Sequence, residues 1–209
     1  MGERKPTKIK KAVIAAAGMG TRFLPQTKAM PKEMLPVIDK PVIQYVVEGL
    51  VASGVEHLIL VPGSPTRALE DHFDSNVALD EALETQGNHA AAKKIRRVGD
   101  MANFIYIRQK GTPAGNLRPV LNAAPLLGDE PFYYFFADDF FMDETPTPAQ
   151  LLEVYNKTGT SVVALEKVAK ENVSLYGIAD PIEEVSDGVY SLKSVVEKPA
   201  PEDAPSLLA

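Results

Sequence analysis

The stretch Ala12-Val-Ile-Ala-Ala-Ala-Gly-Met-Gly-Thr-Arg22 decides the fold, because it joins a buried strand to a glycine-containing loop. Its apolar half, residues 12–17, does not alternate with polar residues, which is typical of a strand covered on both faces. Gly18 and Gly20 let the backbone approach an anion closely, as phosphate binding requires. Phe23 stands where the dinucleotide fingerprint needs a third glycine, and the Gly-Lys-Ser/Thr of a P-loop is missing. Alone, the loop fits either phosphate binding or a plain turn.

A basic segment containing prolines follows the glycines. Arg22, Lys28 and Lys32 lie within eleven residues, with Pro25 and Pro31 between them. Proline restricts the unfolded loop, so ordering these side chains costs less entropy. Cations held in place beside a glycine turn suit a polyphosphate whose charge shifts during reaction. The alternative interpretation is a solvated surface loop.

Strand and helix patterns alternate along the first 165 residues. Strands are expected over 12–17, 57–61, 103–107, 132–136 and 161–165. Helices are expected over 41–53, from Ser64-Pro65, over 77–97, and from a Thr147-Pro-Ala-Gln150 capping box to Gly159. The alternation predicts a Rossmann-like α/β domain with a mainly parallel sheet. Ligands of such sheets bind beyond the carboxyl ends of the strands, which makes loops 17–33 and 137–144 the candidate site loops.

Two acidic residues, Asp138 and Asp139, follow the aromatic strand 132–136. Mg²⁺ takes one or two carboxylates together with phosphate oxygens and water, so a carboxylate at this strand end suits it. A surface turn explains the pair equally well. Near the end of the chain, Glu197-Lys198-Pro199 on its own is typical of an exposed strand terminus.

Composition excludes several classes of function. The chain has 209 residues, with 22 basic and 28 acidic side chains and a net charge of −6, which argues against a nucleic-acid partner. The absence of cysteine excludes disulfides and Cys-ligated metal sites. Because there is neither an apolar run of about 20 residues nor a signal peptide, we expect no membrane partner and a cytoplasmic location. The three histidines lack the spacing of metal ligands, and there is no Ser/His/Asp arrangement.

Two stretches together resemble bacterial UTP–glucose-1-phosphate uridylyltransferases, namely Val13-Ile-Ala-Ala-Ala-Gly-Met-Gly-Thr-Arg-Phe-Leu-Pro-Gln-Thr-Lys-Ala-Met-Pro-Lys-Glu-Met-Leu-Pro36 and Asp39-Lys-Pro-Val-Ile-Gln-Tyr45. That family belongs to the sugar nucleotidyltransferases, which have a GT-A-type Rossmann-like fold. The resemblance runs from about residue 9 to the last residue, and it includes 72–74, 79–84, 128–131, 176–177 and 195–199. The segment 74–98 resembles the glucose/UTP branch more than the thymidylyl- and adenylyltransferases.

The resemblance implies roles for residues on the nucleotide side. Arg22 and Lys32 are the implied catalytic residues on the UTP phosphates, with Lys28 nearby. The other implied nucleotide contacts are backbone groups of Ala17, Gly18, Gly20 and Thr21, the uracil contacts Glu33 and Gln109, and Gly115 against the base.

The resemblance also implies a metal ligand and a sugar pocket. Asp138 is the implied ligand of Mg²⁺, and Tyr176 and Gly177 line the implied sugar pocket. Glu197 is implied to accept hydrogen bonds from glucose hydroxyls, and Lys198 to hold the sugar phosphate. The implied reaction is in-line attack of glucose 1-phosphate on the α-phosphorus of UTP, releasing pyrophosphate without a covalent enzyme intermediate.

Two features depart from the family pattern. The turn Gln109-Lys-Gly-Thr-Pro-Ala-Gly-Asn-Leu-Arg-Pro119 is one residue longer, with Leu117 replacing a glycine and Arg118 a histidine. The Gly115 assignment depends on the register of this turn, and Arg118 is a candidate for an added phosphate contact. The chain also stops at Ala209, where family members continue.

We therefore expect an N-terminal tail over 1–10 and a C-terminally incomplete nucleotidyltransferase domain over 11–209, with a truncated sugar-binding part from about 165. A homo-oligomer is possible in the full-length family, and its interface is expected to be missing here. The alternatives are another sugar-1-phosphate nucleotidyltransferase, such as a thymidylyltransferase, and a non-catalytic nucleotide-binding fragment.

Overall fold

Parallel strands form the centre of the fold in the computed structural model, which describes residues 6–63, 67–113 and 115–209. The strands are β1 (Lys11–Ala16), β2 (Pro36–Val37), β3 (Lys40–Pro41), β4 (His57–Pro62), β5 (Asn103–Tyr106), β6 (Tyr133–Phe136), β7 (Gly177–Ser186) and β8 (Val189–Glu197). The α-helices are α1 (Val42–Ala52), α2 (Arg67–Phe73), α3 (Val77–Thr85), α4 (His89–Gly99), α5 (Arg118–Leu127) and α6 (Thr147–Thr158). The chain divides into two units, residues 1–159 and 160–209.

The sheet of the first unit has the strand order β5-β4-β1-β6, and every pairing is parallel. Ile14 of β1 pairs with Leu60 on one side and Phe135 on the other. The α/β fold with a mainly parallel sheet is confirmed. Because the βα units run in one direction, the carboxyl ends of all these strands lie along one edge.

Helices cover both faces of this sheet, which explains why β1 is apolar without alternation. On one face Ile14 and Leu60 belong to a core that includes Leu50 of α1 and residues of α2. On the other face Val13 and Ile59 pack with Ala123 and Leu127 of α5. Successive residues of a strand point to opposite faces, so both faces need apolar side chains.

The helix expected over 77–97 is two helices, α3 and α4. Gly87 lies between them with φ +73°, a left-handed conformation that ends a helix readily when the residue is glycine. Asn88 then caps α4, because its side chain accepts a hydrogen bond from the Ala91 N–H at 3.3 Å. The expected single helix is therefore wrong, because the Gln86-Gly87-Asn88 segment ends one helix and starts the next.

Three other expectations need correction or fall outside the described chain. Residues 161–165 are not a strand, since backbone pairing begins at Glu166, whose N–H donates to the Ala209 carbonyl at 2.8 Å. The capping box predicted at Thr147–Gln150 is wrong as well. Thr147 lies inside α6 after Pro146, and its buried hydroxyl has no hydrogen-bond partner among the described residues. The helix start expected at Ser64-Pro65 lies outside the described residues.

The second unit contains an antiparallel hairpin, β7–β8, preceded by a 3-10 helix over Lys170–Leu175. The end of the chain pairs within this unit, with a bridge between Lys167 and Leu208. Ile178, Ala179 and Val173 are its buried apolar residues in the described chain. Among the described residues, no helix has the length and apolar character needed to cross a membrane.

Candidate functional site

The carboxyl ends of β1, β4, β5 and β6 form one edge from which the candidate loops leave. Backbone pairing extends beyond the strands, with Gly63 N–H donating to Ala16 C=O at 3.2 Å and Ala137 N–H to Ala15 C=O at 3.0 Å. Gln109 N–H donates to Pro62 C=O at 2.9 Å, so the chain after β5 continues along the same edge. The glycine loop, Gln109 and the Asp138–Asp139 pair therefore begin from neighbouring strand ends.

The glycine loop bends sharply at Gly20, where φ is +61° and ψ is 29°. A short 3-10 turn, Thr21–Phe23, starts directly after it and carries Arg22. Gly18 is needed for a different reason, since an added Cβ there would lie 3.1 Å from Lys32 Cε. The loop thus uses one glycine for its turn and the other to admit the Lys32 side chain.

An ion pair joins the glycine loop region to the loop after β6. Lys32 Nζ lies 2.5 Å from Asp138 Oδ2, although the residues are 106 positions apart in sequence. The Lys32 side chain is 22% exposed and that of Asp138 is 37% exposed, so a ligand can reach both. Arg22 and Lys28 are exposed and take part in no ion pair within the described residues. The implied catalytic lysine and the implied metal ligand are brought into direct contact.

Glu33 is buried next to this ion pair and is 1% exposed. Neither of its carboxylate oxygens has a hydrogen-bond partner among the described residues. Burial raises the pKa of Glu33; its own backbone N–H and the positive charge of Lys32 oppose that rise, and the negative charge of Asp138 adds to it. A buried acceptor without a donor is costly, so Glu33 is suited to a ligand that supplies a hydrogen-bond donor.

The turn after Gln109 is held by its own side chains. Arg118 donates from Nε and Nη2 to Pro113 C=O at 3.1 and 3.0 Å. An added Cβ at Gly111, where φ is +96°, would lie 3.0 Å from Arg118 Nη1. Gly115 is exposed with φ +151°, and no atom of the described residues beyond its chain neighbours lies within 4 Å of the position that its Cβ would take. The Arg118 guanidinium, expected as an added phosphate contact, therefore bonds the turn itself.

In the second unit, the four residues implied for the sugar lie together at the open end of the hairpin. Gly177 pairs with Glu197 in the β7–β8 register, and Lys198 N–H donates to Tyr176 C=O at 2.9 Å. An added Cβ at Gly177 would lie 3.4 Å from Glu197 Oε2. Lys198 has φ +46°, and its Nζ lies 3.4 Å from Glu197 Oε1. Tyr176, Glu197 and Lys198 are all exposed, so they are available to a ligand.

A supporting network was missed at the sequence level. The Tyr45 ring stacks on Phe140, with 5.1 Å between ring centroids, and thereby joins α1 to the segment that follows Asp138. Tyr45 also donates its hydroxyl to Val37 C=O at 2.8 Å. Tyr45 ends the second stretch quoted above for the family resemblance, but nothing in its spacing shows that its partner is Phe140, almost a hundred residues away.

His72 connects two helices through a side-chain contact. Its Nε2 lies 3.0 Å from Gln44 Oε1, and Gln44 in turn donates to Glu48 Oε1 at 2.9 Å. Burial lowers the pKa of His72, which favours the neutral imidazole. The contact joins α2 to α1, and both helices also pack against the 3-10 turn Lys32–Met34.

A glycine loop, clustered cations and a carboxylate at the carboxyl edge of a parallel sheet define a nucleotide-binding α/β protein. The comparisons make this more specific: residues 11–209 match the nucleotidyl transferase family model, and the chain belongs to that family.

Relatives and solved structures agree on the branch of the family. The chain is 48% identical over 203 residues to the UTP–glucose-1-phosphate uridylyltransferase YngB of Bacillus subtilis, covering 97% of this chain and 67% of that protein. A UDP-glucose pyrophosphorylase complexed with UDP-glucose is 44% identical with a TM-score of 0.82, covering 96% of this chain and 73% of that one. A UTP-bound UDP-glucose pyrophosphorylase from Acinetobacter baumannii is 34% identical with a TM-score of 0.87, covering 96% and 72%.

Proposed function

We propose that this chain transfers the uridylyl group of UTP to glucose 1-phosphate, giving UDP-glucose and pyrophosphate. The observation that carries the proposal is the Lys32–Asp138 contact beside the glycine loop, because a neighbouring cation and carboxylate suit a metal-bound polyphosphate. The names of the relatives, at 46–48% identity over 96–97% of this chain, support UTP and glucose 1-phosphate as the substrates.

The cations of the glycine loop region act on the phosphates. Arg22 lies in the turn after Gly20. The Lys32 side chain passes close to Gly18 and ends in the ion pair with Asp138. In the reaction, an oxygen of the glucose 1-phosphate attacks the α-phosphorus of UTP, a new O–P bond forms, and the bond to the β-phosphate oxygen breaks. Negative charge moves toward the leaving pyrophosphate, and fixed cations stabilise that charge without reorganising. Lys28 contributes to the field that attracts the nucleotide.

Asp138 is proposed to hold Mg²⁺. The donor set fits this ion, because Mg²⁺ keeps several waters and takes few protein carboxylates beside phosphate oxygens. The described residues contain no cluster of three or more His, Cys, Asp or Glu that would form an all-protein cage. When bound, Mg²⁺ would neutralise phosphate charge and orient the polyphosphate. With Asp138 on the metal ion, the Lys32 ammonium group would be available to the phosphates.

Uracil is proposed to supply the missing donor at Glu33. The N3–H of uracil is a hydrogen-bond donor and the Glu33 carboxylate is an acceptor, which the base reaches when the side chains over the buried carboxylate move aside. Gln109, half-buried at the extension of β5, is proposed to read another part of the base edge, and Gly115 to lie against the base. Thymine presents the same N3–H, so this contact favours both bases over cytosine and does not separate UTP from dTTP.

The sugar side is assigned to the second unit. Glu197 accepts hydrogen bonds from glucose hydroxyls and Lys198 binds the sugar phosphate, while Tyr176 and Gly177 shape the pocket. These residues lie together at the open end of the hairpin, which supports the assignment. We also propose a cytoplasmic location, since charged sugar phosphates and nucleotides do not cross membranes unaided.

A nucleotide panel tests the proposal. Pyrophosphate release is measured with UTP, dTTP and CTP in the presence of glucose 1-phosphate and Mg²⁺, and binding of each nucleotide is measured by calorimetry. We expect UTP to give the highest kcat/KM. Turnover with dTTP equal to or above that with UTP would support the thymidylyltransferase alternative, whereas UTP binding without pyrophosphate release would support a non-catalytic fragment.

A further inference from the structure

Thr27 is a residue of the glycine loop region to which nothing above gives a role. It lies half-buried in the 3-10 turn Gln26–Lys28, seven positions after Gly20. Its hydroxyl donates to the Gly20 carbonyl, with 2.7 Å between Thr27 Oγ1 and Gly20 O. The same carbonyl accepts the Phe23 N–H at 3.0 Å, so both of its lone-pair directions are used.

Packing adds a second constraint at Gly20. An added Cβ on Gly20 would lie 3.1 Å from Thr27 Cγ2 and 3.1 Å from Lys32 Cβ. The Gly20 backbone is therefore enclosed by the Thr27 methyl group and the base of the Lys32 side chain. Thr27 thus touches Gly20, which lies two positions before Arg22 and against the base of the Lys32 side chain.

The hydrogen bond to Gly20 also sets the direction of the next peptide group. A trans peptide is planar, with its N–H pointing away from its C=O. Holding the Gly20 carbonyl from the Thr27 side therefore aims the Thr21 N–H the opposite way. That N–H belongs to the backbone segment proposed to bind the nucleotide, and Arg22 is the next residue along the turn.

We propose that Thr27 is a positioning residue for the phosphate loop. Its hydroxyl fixes the Gly20 peptide, and through it the spacing of the Thr21 N–H, Arg22 and Lys32 around the UTP phosphates. This inference rests on the proposed uridylyl transfer for its kinetic consequences. Its structural consequence, a fixed Gly20–Phe23 turn, holds without any substrate.

The experiment compares two substitutions that separate the hydroxyl from the methyl group. Thr27→Val keeps the shape and loses the hydrogen bond, while Thr27→Ser keeps the hydrogen bond and loses the methyl group. For Thr27→Val we expect kcat/KM for UTP to fall roughly fivefold or more, the effect of one lost hydrogen bond. We expect the KM for glucose 1-phosphate to stay unchanged. Thr27→Ser should retain most of the wild-type kcat/KM.

A ligand-free measurement accompanies the kinetics. Amide hydrogen exchange at Phe23 reports the bond to the Gly20 carbonyl, and it should be faster in Thr27→Val than in wild type and Thr27→Ser. Thr85→Val is the matched control, because the Thr85 hydroxyl also donates to a carbonyl, that of Glu81 at 2.8 Å, on exposed α3. The control should change neither UTP kinetics nor Phe23 exchange.

The outcomes separate this inference from the proposed function. If Thr27→Val matches wild type in Phe23 exchange, or if Thr27→Ser is as damaging as Thr27→Val, the positioning role of the hydroxyl is refuted. If wild type releases no pyrophosphate, the proposed function fails, and the role of Thr27 is still decided by the exchange data together with UTP affinity from calorimetry.

Discussion

Glu33 shows, at the scale of a single residue, how a site can be kept ready for a ligand at the expense of stability. Its carboxyl group is buried, lacks a hydrogen-bond partner among the described residues, and has a raised pKa because of that burial. Burying a polar group without a partner destabilises the folded chain. The structure retains such a group beside the Lys32–Asp138 pair, where a donor from the base would satisfy it.

Replacing Glu33 by Gln should make the chain more stable at neutral and alkaline pH. Burial raises the folded-state pKa above the unfolded one, so the penalty is absent below the unfolded value, grows between the unfolded and the folded value, and is complete above the folded value. At pH 8 the free energy of unfolding of Glu33→Gln should exceed that of the wild type by about 1 kcal/mol or more, because an unpaired buried charge costs more than an unpaired amide. Urea unfolding at pH 8 and pH 4 checks this. A wild type as stable as the variant at pH 8 would refute the account.

Substitution of the two aspartates should have unequal effects. Asp138 contacts Lys32, whereas Asp139 forms no ion pair within the described residues. Asp138→Asn should lower turnover more than tenfold, that is by more than about 1.4 kcal/mol in the barrier, with the fold retained. Asp139→Asn should have the smaller effect. Circular dichroism provides the folding control, and a larger loss at Asp139 would show that the assignment of the metal ligand is wrong.

Phosphate and base contacts should separate in steady-state kinetics. Arg22→Met and Lys32→Met remove cations that act on charge developing in the transition state, so kcat should fall more than UTP binding weakens. Gln109→Ala removes a contact to a part of UTP that does not change in the reaction. It should mainly raise the KM for UTP, by about 1–3 kcal/mol in binding free energy, and relax base preference. If UTP affinity and base preference stay unchanged, the assignment of Gln109 and Gly115 to the base contact is wrong.

At the scale of elements, the turn between β5 and α5 is held by hydrogen bonds that its sequence does not predict. Two of them join the guanidinium of Arg118, the candidate for an added phosphate contact, to the Pro113 carbonyl. The start of the turn is bonded to α5, because the Asn122 side chain accepts from Lys110 N–H at 3.0 Å and donates to Lys110 C=O at 3.2 Å. These are tertiary contacts within a loop, and no periodicity in the sequence encodes them.

Arg118→Ala should therefore act through the order of the turn. We expect the KM for UTP to rise roughly three- to tenfold, from two lost hydrogen bonds in an exposed turn, with kcat unchanged. Arg97→Ala, at the exposed end of α4, removes the same charge away from the turn and serves as the control. A fall in kcat at unchanged KM would instead mean that Arg118 contacts the phosphates during reaction.

Elements with a strong local signal were predictable, and those decided by tertiary pairing were not. β1, β4 and α1 were placed within about two residues, because buried parallel strands and amphipathic helices leave clear apolar patterns. The break between α3 and α4 depended on Gly87 and the Asn88 cap, which are local but were outweighed by the helical composition around them. Residues 161–165 have a strand composition, yet the chain finds its backbone partners only from Glu166 onward.

At the scale of the whole molecule, the order of strands brings together residues that are distant in sequence. The central position of β1 between β4 and β6 puts Lys32 and Asp138 in contact. Sequence reasoning placed both residues after strands, but only the sheet order makes them neighbours. Glu33 was assigned to the base from the family resemblance, whereas its unpaired buried carboxylate is visible only in the structure.

The chain corresponds to 67–69% of the length of its curated relatives, so activity has to be tested on the 209 residues themselves. The most direct test of uridylyl transfer is ³¹P NMR of the chain incubated with UTP, glucose 1-phosphate and Mg²⁺. The account predicts that UDP-glucose and pyrophosphate appear in equal amounts, that neither appears without glucose 1-phosphate, and that Asp138→Asn slows both equally. Unchanged UTP and glucose 1-phosphate resonances, in a sample shown by calorimetry to bind UTP, would contradict it.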